Sequence, residues 1–436
     1  MKILELNCSQ RPSEQFERLA QEPFSFFLDS SANSGFSFWS AYPYKVVNRF
    51  ETIEQELSLL SGWIPKIPAS MASFPFVGGA VGFISYEAVR QWEPHLHPAK
   101  KEPFQIPDVL FGLYDTFFAF DHATQRSFLI SFEGTPQSTK TFERLKESAL
   151  RSKVNPSAVA SPCAQVQSNM SYPQYAKMIR QAKTYIQRGE IYQVNLSQCL
   201  HASLNLPPYT LYQKLRVKNP ANFSAYLNFG DTQILSSSPE RFLSIDSKGI
   251  IYTEPIKGTI RRGQTPEEDQ HLRETLLNSE KNRAELMMIV DLERNDLGKI
   301  CDYGSVQVTQ LYGLESYATV HHLVSKIRGR LKTQSLSETI KACFPGGSIT
   351  GAPKLRAMQI IDELEPHNRG IYTGSIGYID YRRQLDMNIA IRTIVHQKSA
   401  FYFPVGGGIV VDSDPKEEYQ ETLHKGEALI SAISKP

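Results

Sequence analysis

The sequence predicts an α+β fold in which large, mostly antiparallel sheets carry flanking helices. Three observations predict it. Strand-like and helix-like segments are mixed without the regular spacing of βαβ units. The run Ile191–Leu200 alternates strictly, with Tyr192, Val194 and Leu196 on one face and Gln193, Asn195 and Ser197 on the other. Helix signals are sharp where they occur. Ser171-Tyr-Pro-Gln174 forms a capping box ahead of an apolar stripe of Tyr175, Met178, Ile179, Ala182 and Ile186, and Gly189 ends that helix.

The other elements follow in chain order. Gly78–Tyr86 and Val109–Phe120 are short apolar segments that read as strands of a mixed sheet. Residues 152–170 are rich in Ser, Ala and Pro without a sustained period, which predicts a linker between an N-terminal subdomain over 1–151 and a domain over 171–436. Phe242–Ile245 and Ile250–Thr253 flank the turn Asp246-Ser-Lys-Gly249 as a hairpin. Asn278–Val290 reads as a helix. Phe401–Val405 and Ile409–Val411 read as strands around a triple glycine. Asp414-Pro-Lys-Glu417 opens the last helix, with Asp414 as N-cap, Pro415 at the first position and Glu417 closing the box.

Composition removes several classes of function. Of 436 residues, 41% are hydrophobic and 21% charged, ordinary for a globular protein. Lys and Arg number 47 against 45 Asp and Glu, so no global field draws nucleic acid or a membrane surface. The five cysteines (Cys8, Cys163, Cys199, Cys301 and Cys343) are scattered, with no C-x-x-C pair. That fits a reducing compartment and argues against a disulfide framework or a zinc site. The opening residues lack the pattern of a secretion signal, and no stretch reaches the roughly 18 apolar residues of a membrane helix. A cytoplasmic protein is expected.

Candidate chemistry begins on the terminal helix, where Glu418 and Glu421 share a face with Lys425 one turn on. Taken alone, that face is a solvated surface. Glu285, however, sits in an apolar helix, and a buried carboxylate normally needs a cation or several donors. A site with few carboxylates and much water suits Mg2+. Lys257, in Glu254-Pro-Ile-Lys-Gly-Thr259, lies between a backbone-fixing proline and a glycine that admits close approach. It is either an ordinary surface lysine or, if desolvated, a nucleophile. The loop Pro345–Lys354 and the run Gly406, Gly407, Gly408 match no nucleotide fingerprint, yet both could offer backbone amides to a carboxylate. Arg392, among apolar neighbours in a strand-like Asn388–Val395, wants a carboxylate from a substrate or from a structural salt bridge.

Taken together, the ordered segments GEIYQVNLSQ, SSSPERFL, EPIKGT, EKNRAELMMIVDLERNDLG, VHHLVS, FPGGSITGAPKLRAMQIIDELEP, YTGSIGYID, IAIRTIV and GGGIVVDSDPKEEYQE closely resemble the chorismate-utilising enzymes. That family includes anthranilate synthase component I, aminodeoxychorismate synthase component I, and the isochorismate and salicylate synthases. The match runs through essentially all of 171–436, and more weakly through GGAVGFISYE before it. The resemblance implies an anthranilate synthase component I-like fold of two interleaved subdomains. It implies that Glu285 and Glu421 hold Mg2+ with support from Glu418. It further implies that Tyr372, Arg392, the amides of Gly406, Gly407 and Gly408, and Lys425 bind the carboxylates of chorismate. Glu240 matches the family's general acid, which protonates the departing C4 hydroxyl, and His322 the histidine near the reacting ring.

Two positions separate the branches. Gln193 stands where isochorismate and salicylate synthases carry a lysine base, which disfavours activation of water at C2. Lys257 stands where anthranilate synthases usually carry alanine, and lysine there marks the aminodeoxychorismate branch, where it attacks C2 to give a covalent adduct before ammonia adds at C4. The loop spelling PGGSITGAPK points the same way. No cysteine lies in a G-x-C-x-G nucleophile turn, so ammonia is expected from a separate glutamine amidotransferase subunit, in a heterodimer, or from solution. The rival readings are anthranilate synthase component I, with Lys257 a bystander, and a non-catalytic subunit that binds chorismate or a glutaminase. Phe26–Ser30 falls near the inhibitor site of anthranilate synthases, but read by itself it is a core strand ending in a turn.

Overall fold

The structure, a computed structural model, describes residues 1–6, 10–61, 74–96, 100, 105–133, 135–150, 163–317 and 320–435. Two large antiparallel sheets dominate. The first runs from Lys2–Leu6 at one edge through Arg126–Ser131, Thr116–Asp121, Phe36–Ser40, Ser25–Asp29, Phe223–Asn228, Thr232–Ser238, Thr393–Gln397, Ala400–Ile409 and Gln193–Ser203 to Gly351–Ala352. The second orders Ile256–Arg261, Val320–Arg330, Ile250–Glu254, Arg241–Ile245, Leu385–Asn388, Ser375–Asp380, Gly79–Ile84, Val109–Tyr114 and Lys45–Val47. Each sheet takes strands from both sides of residues 152–170. Of that segment, 152–162 lie outside the described residues, while Gln167–Ser168 pairs with the strand Gln193–Ser203.

The sheets pack face to face. Phe26, Phe38 and Phe117 of the first meet Val81, Phe83 and Ile376 of the second in one cluster. The outer face of the first sheet is covered by the helices Ser138–Leu150, Pro208–Lys218 and Pro415–Ser434, through Leu145, Tyr212 and Ile433 among others. The outer face of the second is covered by Phe50–Ser61, Glu280–Ile300 and Leu336–Cys343. The mixed α+β class and the antiparallel sheets are as the sequence predicts. No helix among the described residues is long and apolar enough to cross a membrane.

Local signals place several elements. In the helix Tyr172–Gln187, Gln174 Oε1 accepts from the Ser171 N–H at 2.7 Å, as its capping box requires. Asp414 Oδ1 accepts from the Lys416 and Glu417 N–H groups and so caps the helix Pro415–Ser434. Four boundaries differ from expectation. The helix expected over Asn278–Val290 runs from Glu280 to Ile300, because its apolar stripe continues through Leu297 and Ile300. Val109–Phe120 is two strands, Val109–Tyr114 and Thr116–Asp121, one in each sheet. Ala400–Ile409 is one strand that runs straight through the triple glycine. Arg392 lies in no strand. With φ at 49° it occupies the left-handed region and breaks Asn388–Val395 into a strand end, a bend and the new strand Thr393–Gln397.

Candidate active site

The alternating strand Gln193–Ser203 buries both its faces. Val194 and Leu196 join an apolar cluster against the helices Tyr172–Gln187 and Lys354–Leu364. Gln193, Asn195 and Ser197 are equally buried on the other side. The glycine-bearing strand runs beside them, with Asn195 opposite Gly408 and Ser197 opposite Gly406. Glycine is required there by space: a Cβ at 406 would fall 2.6 Å from the Leu196 carbonyl oxygen and 2.7 Å from Tyr372 Oη.

This polar strand pair forms one wall of a cavity of about 150 Å³. The opposite wall comes from the second sheet. Its edge strand Ile256–Arg261 breaks register with Val320–Arg330 between Ile256 and Thr259, and Gly258 at φ +85° turns the backbone so that Lys257 lines the cavity. Glu240, just ahead of the strand Arg241–Ile245, and His322 on Val320–Arg330 line it too. So do Tyr372, Arg392, Gly406, Gly408 and Lys425. Eight residues singled out in the sequence therefore surround one space.

Burial governs the electrostatics. It pushes the Glu240 carboxyl above the usual range, against the nearby Ser348 hydroxyl and a 3.3 Å hydrogen bond donated by the Ile256 N–H. It pulls the Lys257 amine below its usual range, while Glu285 is the strongest single charge holding the proton on. It lowers His322 to about 3, helped by the positive charge of Arg392, so this imidazole is neutral. Thr259 Oγ1 and His322 Nδ1 are 2.8 Å apart. Arg392 donates to Asn219 Oδ1 at 3.1 Å and meets no carboxylate in an ion pair among the described residues, which leaves its charge for a ligand.

The acidic residues sit behind the glycine strand. The space beside Gly407 is bordered by Glu418 Oε2 at 3.3 Å, Glu421 Oε1 at 3.6 Å and Lys425 Nζ at 3.7 Å from a Cβ built there. Glu418 Oε1 accepts from Ser413 Oγ at 2.6 Å, whereas its buried Oε2 has no partner. Burial raises the Glu418 carboxyl. Burial works the same way on Glu421, but the Lys425 ammonium 2.6 Å away outweighs it and holds that carboxyl low. Among the described residues no three His, Cys, Asp or Glu side chains form a ready cation cage. The unpaired Glu418 oxygen beside Glu421 still fits a hard cation that takes its remaining oxygens from substrate and water. Glu285, half-buried on the helix Glu280–Ile300, does not line the cavity, and neither does Gln193, whose buried amide abuts Gly408.

Local patterns gave no warning of three further residues. Arg369 is 1% exposed, pairs with Glu365 at 2.8 Å, and donates to the carbonyls of Asn195 and Ile349. It thus ties the polar strand to the turn Gly347–Ile349. Ser348 lines the cavity from that turn. Lys281, one helical turn from Glu285, places its charge on Glu418 and Glu421. A second cavity, about 460 Å³, lies between the sheets and shares Pro239 and Ile256 with the first. Phe26–Ser30 is the core strand Ser25–Asp29 and its turn, and Leu28, Asp29 and Ser30 also line that second cavity.

The family described as chorismate binding enzyme matches residues 7–431. The chain is 36% identical over 443 residues to aminodeoxychorismate synthase component 1 of Bacillus subtilis (strain 168), covering 96% of this chain and 94% of that one. It is 40% identical over 375 residues to an anthranilate synthase component 1 of Haloarcula marismortui, covering 82% and 76%. Among solved structures, anthranilate synthase component I from Streptococcus pneumoniae TIGR4 superposes with a TM-score of 0.81 at 32% identity, over 91% of this chain and 92% of that one.

Proposed function

The chain belongs to the chorismate-binding enzyme family, and from that premise we propose that it aminates chorismate at C4 to give 4-amino-4-deoxychorismate. That it is an enzyme acting on chorismate follows from the family and from relatives that span nearly its whole length. The choice of C4 rests on one observation: a half-buried lysine with a lowered pKa shares one cavity with a buried carboxyl whose pKa is raised. The two groups are tuned to opposite tasks.

Burial raises the Glu240 carboxyl and so favours the protonated acid, which can give its proton to the C4 hydroxyl. Lys257 keeps a neutral fraction because burial disfavours the ammonium. As the C4–O bond breaks and water leaves, the Lys257 nitrogen forms a bond to C2. Ammonia then bonds to C4, the C2–N bond breaks, and Lys257 departs as an amine. The new ammonium returns its surplus proton to Glu240, which restores the acid. Arg392 and Lys425 supply positive charge for the substrate carboxylates, with Tyr372 and the amides of Gly406, Gly407 and Gly408 around them. His322, neutral, packs against the ring without adding charge. Gln193 has no basic group with which to activate water at C2. Glu418 and Glu421, with Glu285 on the helix Glu280–Ile300, would hold Mg2+, whose charge when bound serves the ring carboxylate.

Ammonia is supplied by a separate glutaminase. The name component 1, borne by these relatives, is in keeping with a partner. The thiols of Cys199 and Cys301 are pushed up to about 12 and about 11 by burial, which is the reverse of an activated nucleophile.

The test is to incubate the purified protein with chorismate, Mg2+ and ammonium at mildly alkaline pH and identify the product by chromatography and mass. Aminodeoxychorismate is expected. Fluorescent anthranilate would move the chain to the reaction named for its Haloarcula and Streptococcus relatives and reduce Lys257 to a bystander. Chorismate binding without turnover would point to a regulatory subunit.

A further inference from the structure

We propose that Ser348 is the group that receives the departing hydroxyl and then the incoming ammonia at C4, an inference that rests on the amination reading. Ser348 is 3% exposed and lines the cavity beside Glu240, and its Oγ makes no well-formed hydrogen bond. Its one polar contact among the described residues is a loose hydrogen bond toward the Glu240 carboxyl, which opposes the upward push of burial there, and both residues line the same cavity. A buried hydroxyl without a proper partner is costly, so something should compensate it. The backbone turn that carries the hydroxyl is held from behind. Lys354 Nζ donates to the carbonyls of Cys343 and Pro345 at 2.7 Å each and to Asp296 Oδ2 at 2.5 Å. Arg369 Nη1 donates to the Ile349 carbonyl at 3.1 Å.

Besides Glu418 behind the glycine strand, two other buried side chains at the site have unpaired polar atoms, Gln193 and Asn195. Both belong to the strand paired with the glycines, and Gln193 abuts Gly408, next to Lys257 Nζ. They lie beside Gly408 on the Lys257 side, Asn195 lining the cavity and Gln193 behind its wall. Ser348 stands at the Glu240 end, where the C4–O bond breaks. Its hydroxyl first donates to the oxygen that takes the Glu240 proton and leaves as water. It then accepts an N–H from ammonia, which turns the nitrogen lone pair toward C4. The bond made is C4–N, and the proton released returns to Glu240.

The experiment is ammonium titration of Ser348→Ala at saturating chorismate and Mg2+, with a thermal melt of the same protein. Loss of one hydrogen bond to the nucleophile is expected to raise the KM for ammonium about tenfold. The KM for chorismate should stay constant, and the melting temperature should hold or rise, because a poorly paired polar atom has been removed. Ser348→Thr, which keeps the hydroxyl, should recover the ammonium KM. Without ammonium, Ser348→Ala should still give the mass-shifted Lys257 peptide from chorismate, but more slowly than the parent, because the departing oxygen has lost its donor; adduct formation at the parental rate would overturn the first of the two roles. An unchanged ammonium KM, or a defect confined to the chorismate KM, overturns the proposal. If the unmodified protein forms neither adduct nor aminodeoxychorismate, the amination reading itself fails and this proposal falls with it.

Discussion

An ammonium group at position 257 is partly stripped of water by the cavity walls, and Glu285, Glu240 and Glu421 return only part of what hydration would supply. The side chain is costly to the fold and useful to the reaction, a common pattern at active sites. Lys257→Ala should therefore separate the two roles. Amination should fall by at least about a thousandfold, the scale on which removal of a covalent nucleophile acts. The melting temperature should hold or rise, and Mg2+ binding, followed by titration calorimetry, should persist. Unchanged amination kinetics would sink the nucleophile assignment. At this scale the sequence is partly legible. Pro255 and Gly258 mark Lys257 as a constrained lysine by chain order alone, and Glu418 with Glu421 marks an acidic face. Glu240 and His322 carry no local signal. Each is a single polar residue in an ordinary strand context, and only the resemblance to a family singles them out. Ser348 is hidden for a further reason, since a serine in a glycine-rich loop reads as a turn residue until its hydroxyl is found buried and poorly paired.

Elements are legible where local chemistry alone sets them. Capping residues fix the starts of Tyr172–Gln187 and Pro415–Ser434, and strict alternation fixes the strand from Gln193. They mislead where glycine or backbone strain acts against local habit. The triple glycine has the composition of a turn, yet it continues the strand Ala400–Ile409 because the neighbouring strand and Tyr372 leave no room for a Cβ. Arg392 has apolar neighbours like a strand residue, yet its backbone turns left-handed and directs the guanidinium into the cavity. The close approach at Gly406 makes a test. Gly406→Ala would press on a backbone carbonyl, which yields less than a side-chain tip. It should cost about 1–3 kcal/mol of stability, as overpacking does, read from the denaturant midpoint. Amination should fall with it, since Tyr372 and the adjoining glycine amides would shift. A fully active and fully stable variant would show that the strand can spread there.

The whole molecule is legible as a class and not as a topology. Strand periodicity says that sheets exist, but the pairing of Ser25–Asp29 with Phe223–Asn228 joins segments with no local signal in common, and such pairings build both sheets. One consequence of that interleaving is a thick interior that traps titratable groups, and their combined pH response is a property of the entire fold. His322 and His367 are held neutral by burial, near 3 and 4. Their contribution is complete above the ordinary imidazole value of about 6.5 and is lost as pH falls through their folded values. Glu87 and Glu293 are held protonated by burial, near 7 and 8. Their contribution is complete below the ordinary carboxyl value of about 4.5 and is lost as pH rises through 7 to 8. The acid and alkaline flanks are therefore limited by different residues. Glu293, 6% exposed and accepting from Thr253 Oγ1 at 3.0 Å, is the more strongly shifted of the two carboxyls. Glu293→Gln keeps its shape and its acceptor but cannot ionise. Its melting temperature should match the parent at pH 5 and exceed it at pH 9 by on the order of a few degrees. An equal shift at both pH values would mean that Glu293 is not the group whose ionisation weakens the fold under alkaline conditions.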